Sequence, residues 1–127
     1  MSEPVWIEEE LVLAIHDRQL AEHGGAEGVR DLPLPRWALV ERQNHRAYDN
    51  SDIVQLAGKY IAGIVQNHLF VDGNKRTGFL VGVLFLELNR GRFIASEDAA
   101  AQMILQLAAG NIDETGLISF QRGNVEL

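Results

Sequence analysis

The chain has 127 residues, 46% of them apolar, no cysteine and a formal net charge of −7 at neutral pH. That length and apolar content suit one globular domain, 1–127, with one core. The missing cysteines remove disulfides and thiolate metal sites. For an acidic chain whose basic clusters never exceed two adjacent residues, no direct nucleic-acid partner is expected, because phosphate neutralisation supplies most of that affinity.

Ile7, Leu11, Ala14 and Ile15 recur on one helical face, and Gly24-Gly25 stops that first helix. Leu32-Pro33-Leu34-Pro35 makes an extended lead-in, after which Pro35 suits the first turn of a second helix carrying Trp37, Leu39 and Val40. Ser51-Asp52 supplies a cap and a first-turn acid to a third helix. Along it Ile53, Leu56, Ala57, Tyr60, Ile61, Ile64 and Val65 keep the helical spacing. From about Arg76 to Leu88 the chain is apolar nearly all round, which predicts a buried central helix. Gly78 and Gly82 would let a neighbouring backbone come close. Asn89-Arg90-Gly91 ends that fourth helix. Ser96-Glu97-Asp98 opens a fifth, with Ala99, Met103, Ile104 and Leu107 inward and Gly110 closing it; a short sixth is weakly signalled near Leu117–Phe120. The expected fold is all-α, a compact bundle of about six helices around the buried central one.

Lys59, Gln66, Asn67, Glu87 and Asn89 interrupt every apolar run, so no membrane span is expected. The acidic start, MSEPVWIEEE, is unlike the basic start of a secretory signal, and a cytoplasmic location is the expectation.

Between the third and fourth helices lies His68-Leu-Phe-Val-Asp-Gly-Asn-Lys-Arg-Thr-Gly78. Gly73 permits a backbone conformation that lets successive N–H groups converge on an anion. The free amides and positive dipole end of the fourth helix face the same point. Lys75 and Arg76 add formal charge at that mouth, and the dipole disfavours cations there unless an anion joins them. Asp72 would be repelled by a bound phosphate; Mg²⁺ bridging it to nucleotide phosphates removes the conflict. His68 can accept a hydroxyl proton near neutrality. Phe70 points into the core to pin the loop. A base, a metal ligand and an anion cradle are the parts of phosphate-group transfer to a hydroxyl.

This stretch resembles the signature of the Fic/Doc (Fido) superfamily, and most closely its death-on-curing (Doc) branch, H-x-F-x-D-x-N-K-R. HDRQLAEHGGAEGVRD at 16–31 and LVGVLFLELNRG at 80–91 look like that branch's first-helix region and central helix, so the likeness covers roughly residues 10–110. The resemblance implies a Fido-like fold, His68 as general base, Asp72 as Mg²⁺ ligand, Asn74 helping to hold phosphate beside Gly73, and Arg76 neutralising nucleotide phosphates. Lys75 stands where AMP-transferring members have glycine. In Doc-type members it goes with presentation of the γ-phosphate of ATP to a Ser/Thr hydroxyl, hence protein phosphorylation.

Leu69 replaces a common proline, and no second arginine follows Arg76, which again favours the Doc branch over AMP transfer. The family's internal inhibitory stretch is not matched: the only Glu-Gly is Glu27-Gly28, with His23 at the Ser/Thr position. The implied system is a toxin restrained by a cognate antitoxin that docks a helical segment. Its implied protein target belongs to the translation machinery, elongation factor Tu first among candidates. The rival activities are AMP transfer and a non-catalytic nucleotide- or protein-binding module. His16-Asp17 could suggest a metal phosphohydrolase dyad, but the remaining ligands are missing, and His16 is expected to be structural.

Overall fold

The computed structural model describes residues 4–28, 52–66 and 70–127. The expected second helix at Pro35–Val40, Ser51 and His68 lie outside them. The described residues form five helices and one short two-stranded sheet: α1 Glu9–His23, α2 Ile53–Gln66, α3 Asn74–Leu88, β1 Arg92–Phe93, α4 Glu97–Ala108, α5 Glu114–Arg122 and β2 Val125–Glu126. The third and fourth helices expected from the sequence are therefore α2 and α3.

α3 sits at the centre and touches α1, α2, α4 and β1. Its packing against α2 depends on two missing side chains. A Cβ at Gly78 would stand 2.7 Å from Val65 Cγ2, and one at Gly82 would stand 2.4 Å from Ile61 Cδ1. Val81, Phe85 and Leu86 of α3 and Ile61, Ile64 and Val65 of α2 are accordingly buried. Gly58 plays the same part toward α5, where a Cβ would lie 2.6 Å from Ile118 Cγ1.

Asp52 caps α2 rather than opening its first turn. Its Oδ1 accepts the Gln55 N–H at 2.9 Å, and Gln55 Oε1 accepts the Asp52 N–H at 3.2 Å, a reciprocal capping box. Arg122 Nη1 of α5 donates to the other carboxylate oxygen at 2.8 Å, and Lys59 of α2 pairs with Glu114 of α5. Ser96 caps α4 as expected, accepting from Ala99 N–H at 3.1 Å. Ala100, Ile104 and Leu107 are buried there, with Met103 half-buried and Ala99 exposed.

Two features depart from the periodicity. α1 buries Val12, His16 and Gln19, whereas Leu11 and Ala14 are exposed, Ile15 is half-buried, and Ile7 is buried ahead of the helix. The polar His16 takes an inward position because it finds a hydrogen-bond partner there. The β1–β2 pair, with Arg92 opposite Glu126 and Phe93 opposite Val125, adds a two-stranded antiparallel sheet, its strands separated in the chain by α4 and α5, to the otherwise helical fold. Two-residue strands carry too little alternation to be read from sequence.

Ahead of α1, side chains from α2 and from just past α3 hold the backbone. Asn89, just past α3, exchanges hydrogen bonds with the Val5 backbone at 2.7 and 3.0 Å. The Tyr60 hydroxyl meets the N–H and C=O of Ile7 at 3.1 and 3.2 Å. No helix among the described residues is long and apolar enough to cross a membrane.

Candidate active site

The loop that links α2 to α3 is described from Phe70 onward. Gly73 precedes α3 with φ +81° and ψ 14°, a left-handed conformation that costs glycine little. This turn lets α3 begin at Asn74, two residues earlier than expected from the apolar run, so Asn74, Lys75 and Arg76 all lie in the first turn. Their backbone N–H groups have no carbonyl four residues back within the helix. That leaves an amide-rich, electropositive mouth suited to phosphate.

Asn74 has a part that sequence alone did not indicate. Its Oδ1 accepts the Phe70 N–H and its Nδ2 donates to the Phe70 C=O, each at 2.8 Å. Both ends of the amide thus close the loop on itself. Phe70 is fully buried, as expected, and its ring lies flat on the His16 imidazole, with centroids 3.6 Å apart and planes 5° from parallel.

Asp72 is exposed and held by backbone. Its Oδ1 accepts the N–H of Gly73 at 2.9 Å, and Oδ2 accepts the N–H of Ala26, in the turn after α1, at 3.3 Å. The Gly73 and Ala26 amides hold this carboxyl below its ordinary value, slight desolvation opposes them, and the Arg76 and Lys75 charges add to the lowering. The carboxylate is therefore ionised throughout the neutral range. Lys75 and Arg76 are exposed, and neither forms an ion pair among the described residues.

Asp72, Gly73, Asn74, Lys75 and Arg76 line an open cleft of about 370 Å³ with Val65, Val71 and Ala108, a size within the usual range for small-molecule sites. No cluster of three His, Asp or Glu side chains that could hold a metal occurs among the described residues. One exposed, ionised carboxylate beside two cations suits a hard cation that takes its other ligands from phosphate and water. Asp72 thus fits Mg²⁺ delivered with a nucleotide.

The structure gathers Asp72, Gly73, Asn74, Lys75 and Arg76 in one place, while His68 falls outside the described residues. His16, expected to be structural, seats the loop from the α1 side, together with Gly25 and Ala26, whose part the sequence did not indicate. Val12, His16 and Gln19 fall on one helical stripe, which marks the inward side of α1; Gly25 and Ala26 lie beyond the helix and carry no such pattern.

Residues 6–86 match the Fic/DOC family. The chain is also 31% identical over 108 residues, 84% of each chain, to a protein of Escherichia phage P1 named "Protein kinase doc".

Proposed function

This chain is a member of the Fic/DOC family, and on that premise we propose that it is a Doc-like toxin that moves the γ-phosphate of ATP to a Ser/Thr hydroxyl of a host protein. The observation that carries this reading is the exposed Asp72 carboxylate, fixed by two backbone amides beside the α3 N-terminus, with Lys75 and Arg76 free to meet phosphate. The activity named for the phage relative supports it.

His68 takes the proton from the target hydroxyl as its oxygen bonds to the γ-phosphorus. The bond from that phosphorus to the β–γ bridging oxygen breaks, and ADP leaves with the electron pair. The Gly73–Arg76 turn offers its amides to the phosphate oxygens, and Arg76 supplies positive charge beside the nucleotide phosphates as negative charge develops on the departing ADP. Lys75 occupies the mouth with a long cationic side chain and sets which end of the nucleotide faces the hydroxyl. Mg²⁺, held by Asp72 together with the phosphates, would supply charge neutralisation. The target belongs to the translation machinery, with elongation factor Tu the first to test, so modification blocks translation. A cognate antitoxin docks a helical segment and restrains the enzyme.

The reaction is tested by incubating protein and target with ATP labelled at the α- or the γ-phosphate. Label from the γ position is expected; label from the α position would establish AMP transfer, and a bound nucleotide with no modified product would establish a binding module. His68→Ala is expected to fold and lose about 10²–10³-fold in rate. Cells that arrest equally with parent and variant at matched expression would remove His68 from its role.

A further inference from the structure

We propose that His16 and Gly25 are positioning residues that fix where the Asp72 carboxylate stands. That Asp72 matters to catalysis rests on the phosphotransfer reaction proposed for the chain, while the placement of its carboxylate rests on geometry alone.

His16 is 3% exposed, and its Nε2 lies 2.7 Å from the Asp72 carbonyl oxygen. A carbonyl only accepts, so Nε2 carries the hydrogen. The same ring lies flat on Phe70, two residues earlier. One side chain of α1 therefore holds both flanks of Val71 and determines the path of the backbone into Asp72. The carboxylate is then seated from the turn that follows α1. Ala26 N–H reaches Oδ2, and a Cβ on Gly25 would stand 2.8 Å from that same oxygen. Gly25 also has φ +127°, in the region side chains resist. Asp72 thus projects because the backbone is held by His16 and because Gly25 leaves room for the oxygen.

A buried histidine can serve packing alone, so the variants separate ring from donor. His16→Phe keeps a ring on Phe70 and removes the N–H; His16→Gln removes the ring and restores an N–H of similar reach. Gly25→Ala places a methyl against the carboxylate from an exposed turn, and it carries the test should the buried variants not fold. The first readout needs no ligand: amide exchange at Ala26 and Gly73, whose N–H groups hold Asp72, against Ile61 and Ile64 of α2. Both site amides are expected to exchange about tenfold faster in His16→Phe and Gly25→Ala, as for loss of a single bond. The α2 amides should be unchanged, and His16→Gln should be close to parent. The second readout is affinity for a non-hydrolysable ATP analogue with and without Mg²⁺. The Mg²⁺-dependent part should fall about 10–100-fold in His16→Phe and Gly25→Ala, the range for partners that orient a metal ligand. Affinity without Mg²⁺ should hold.

Parent-like exchange at Ala26 and Gly73 in His16→Phe and Gly25→Ala overturns the proposal, as does equal acceleration of the α2 amides. If the site amides respond as expected but the parent binds the analogue equally with and without Mg²⁺, the placement stands and the metal role of Asp72 falls instead.

Discussion

α3 meets α2 and α1 by opposite means. Against α2 it omits side chains: Gly78 and Gly82 bring two backbones together so that Ile61, Ile64, Val65 and Val81 close over them. On the α1 side, the loop leading into α3 is held by a buried imidazole, a stacked phenyl ring and backbone amides on a carboxylate. The first junction is non-directional and gains from every apolar atom removed from water. The second fixes orientation to within a hydrogen bond, and an unsatisfied polar group there would be costly. Damage to the apolar junction should therefore cost fold, and damage to the polar one should cost function.

The largest effect should come from the apolar side. Phe85 is fully buried between Trp6 and Tyr60, and Phe85→Ala should lower stability by about 3–5 kcal/mol, read by urea denaturation. Activity of the remaining folded protein should be near parent. Arg76→Ala should do the reverse, leaving the urea midpoint in place while phosphotransfer falls about 10²–10³-fold, or about 2.7–4 kcal/mol of transition-state stabilisation. A stability loss as large as that of Phe85→Ala would erase the division.

Gly82→Val drives a branched side chain into Ile61 and should destabilise by about 1–3 kcal/mol, again measured by denaturation. The smallest effect concerns the rim of α2. Although partial burial pushes the Asp52 carboxyl up, its hydrogen bond from Arg122 and the Gln55 amide bring it below its ordinary 3.8. A depressed folded value means that the stabilisation is complete above the unfolded value and is lost as pH falls below about 3.8. Asp52→Asn keeps a capping side chain and removes the charge. It should cost about 0.2–1 kcal/mol at neutral pH, and the two melting temperatures should converge as pH falls through that window.

The two junctions also differ in how legible they are. The spacing of Ile53 to Val65, the nearly all-apolar Phe79–Leu88 run and the Gly78/Gly82 pair specify the α2–α3 core through burial, and burial leaves a period in the sequence. The same rule misplaces the inner face of α1. It puts Leu11 and Ala14 inward, and the structure instead buries His16 and Gln19. His16 goes inside because a partner awaits it, and that partner lies 56 residues away at Asp72, beyond the reach of local pattern. The placement of Asp72, Gly73, Lys75 and Arg76 at one helix start was legible. The grip of Asn74 on Phe70 and the support from Gly25 were not, because both are matters of tertiary approach. His68 and the expected second helix lie outside the described residues.

The double fastening of the leading segment, Val5 to Asn89 and Ile7 to Tyr60, bears on how the molecule can be handled. A tether attached ahead of Pro4 and pulled would load those two clasps before tension reached α1, so force applied there passes to the far end of α3 through Asn89 and to α2 through Tyr60. Immobilisation through that end should spare the Asp72 loop.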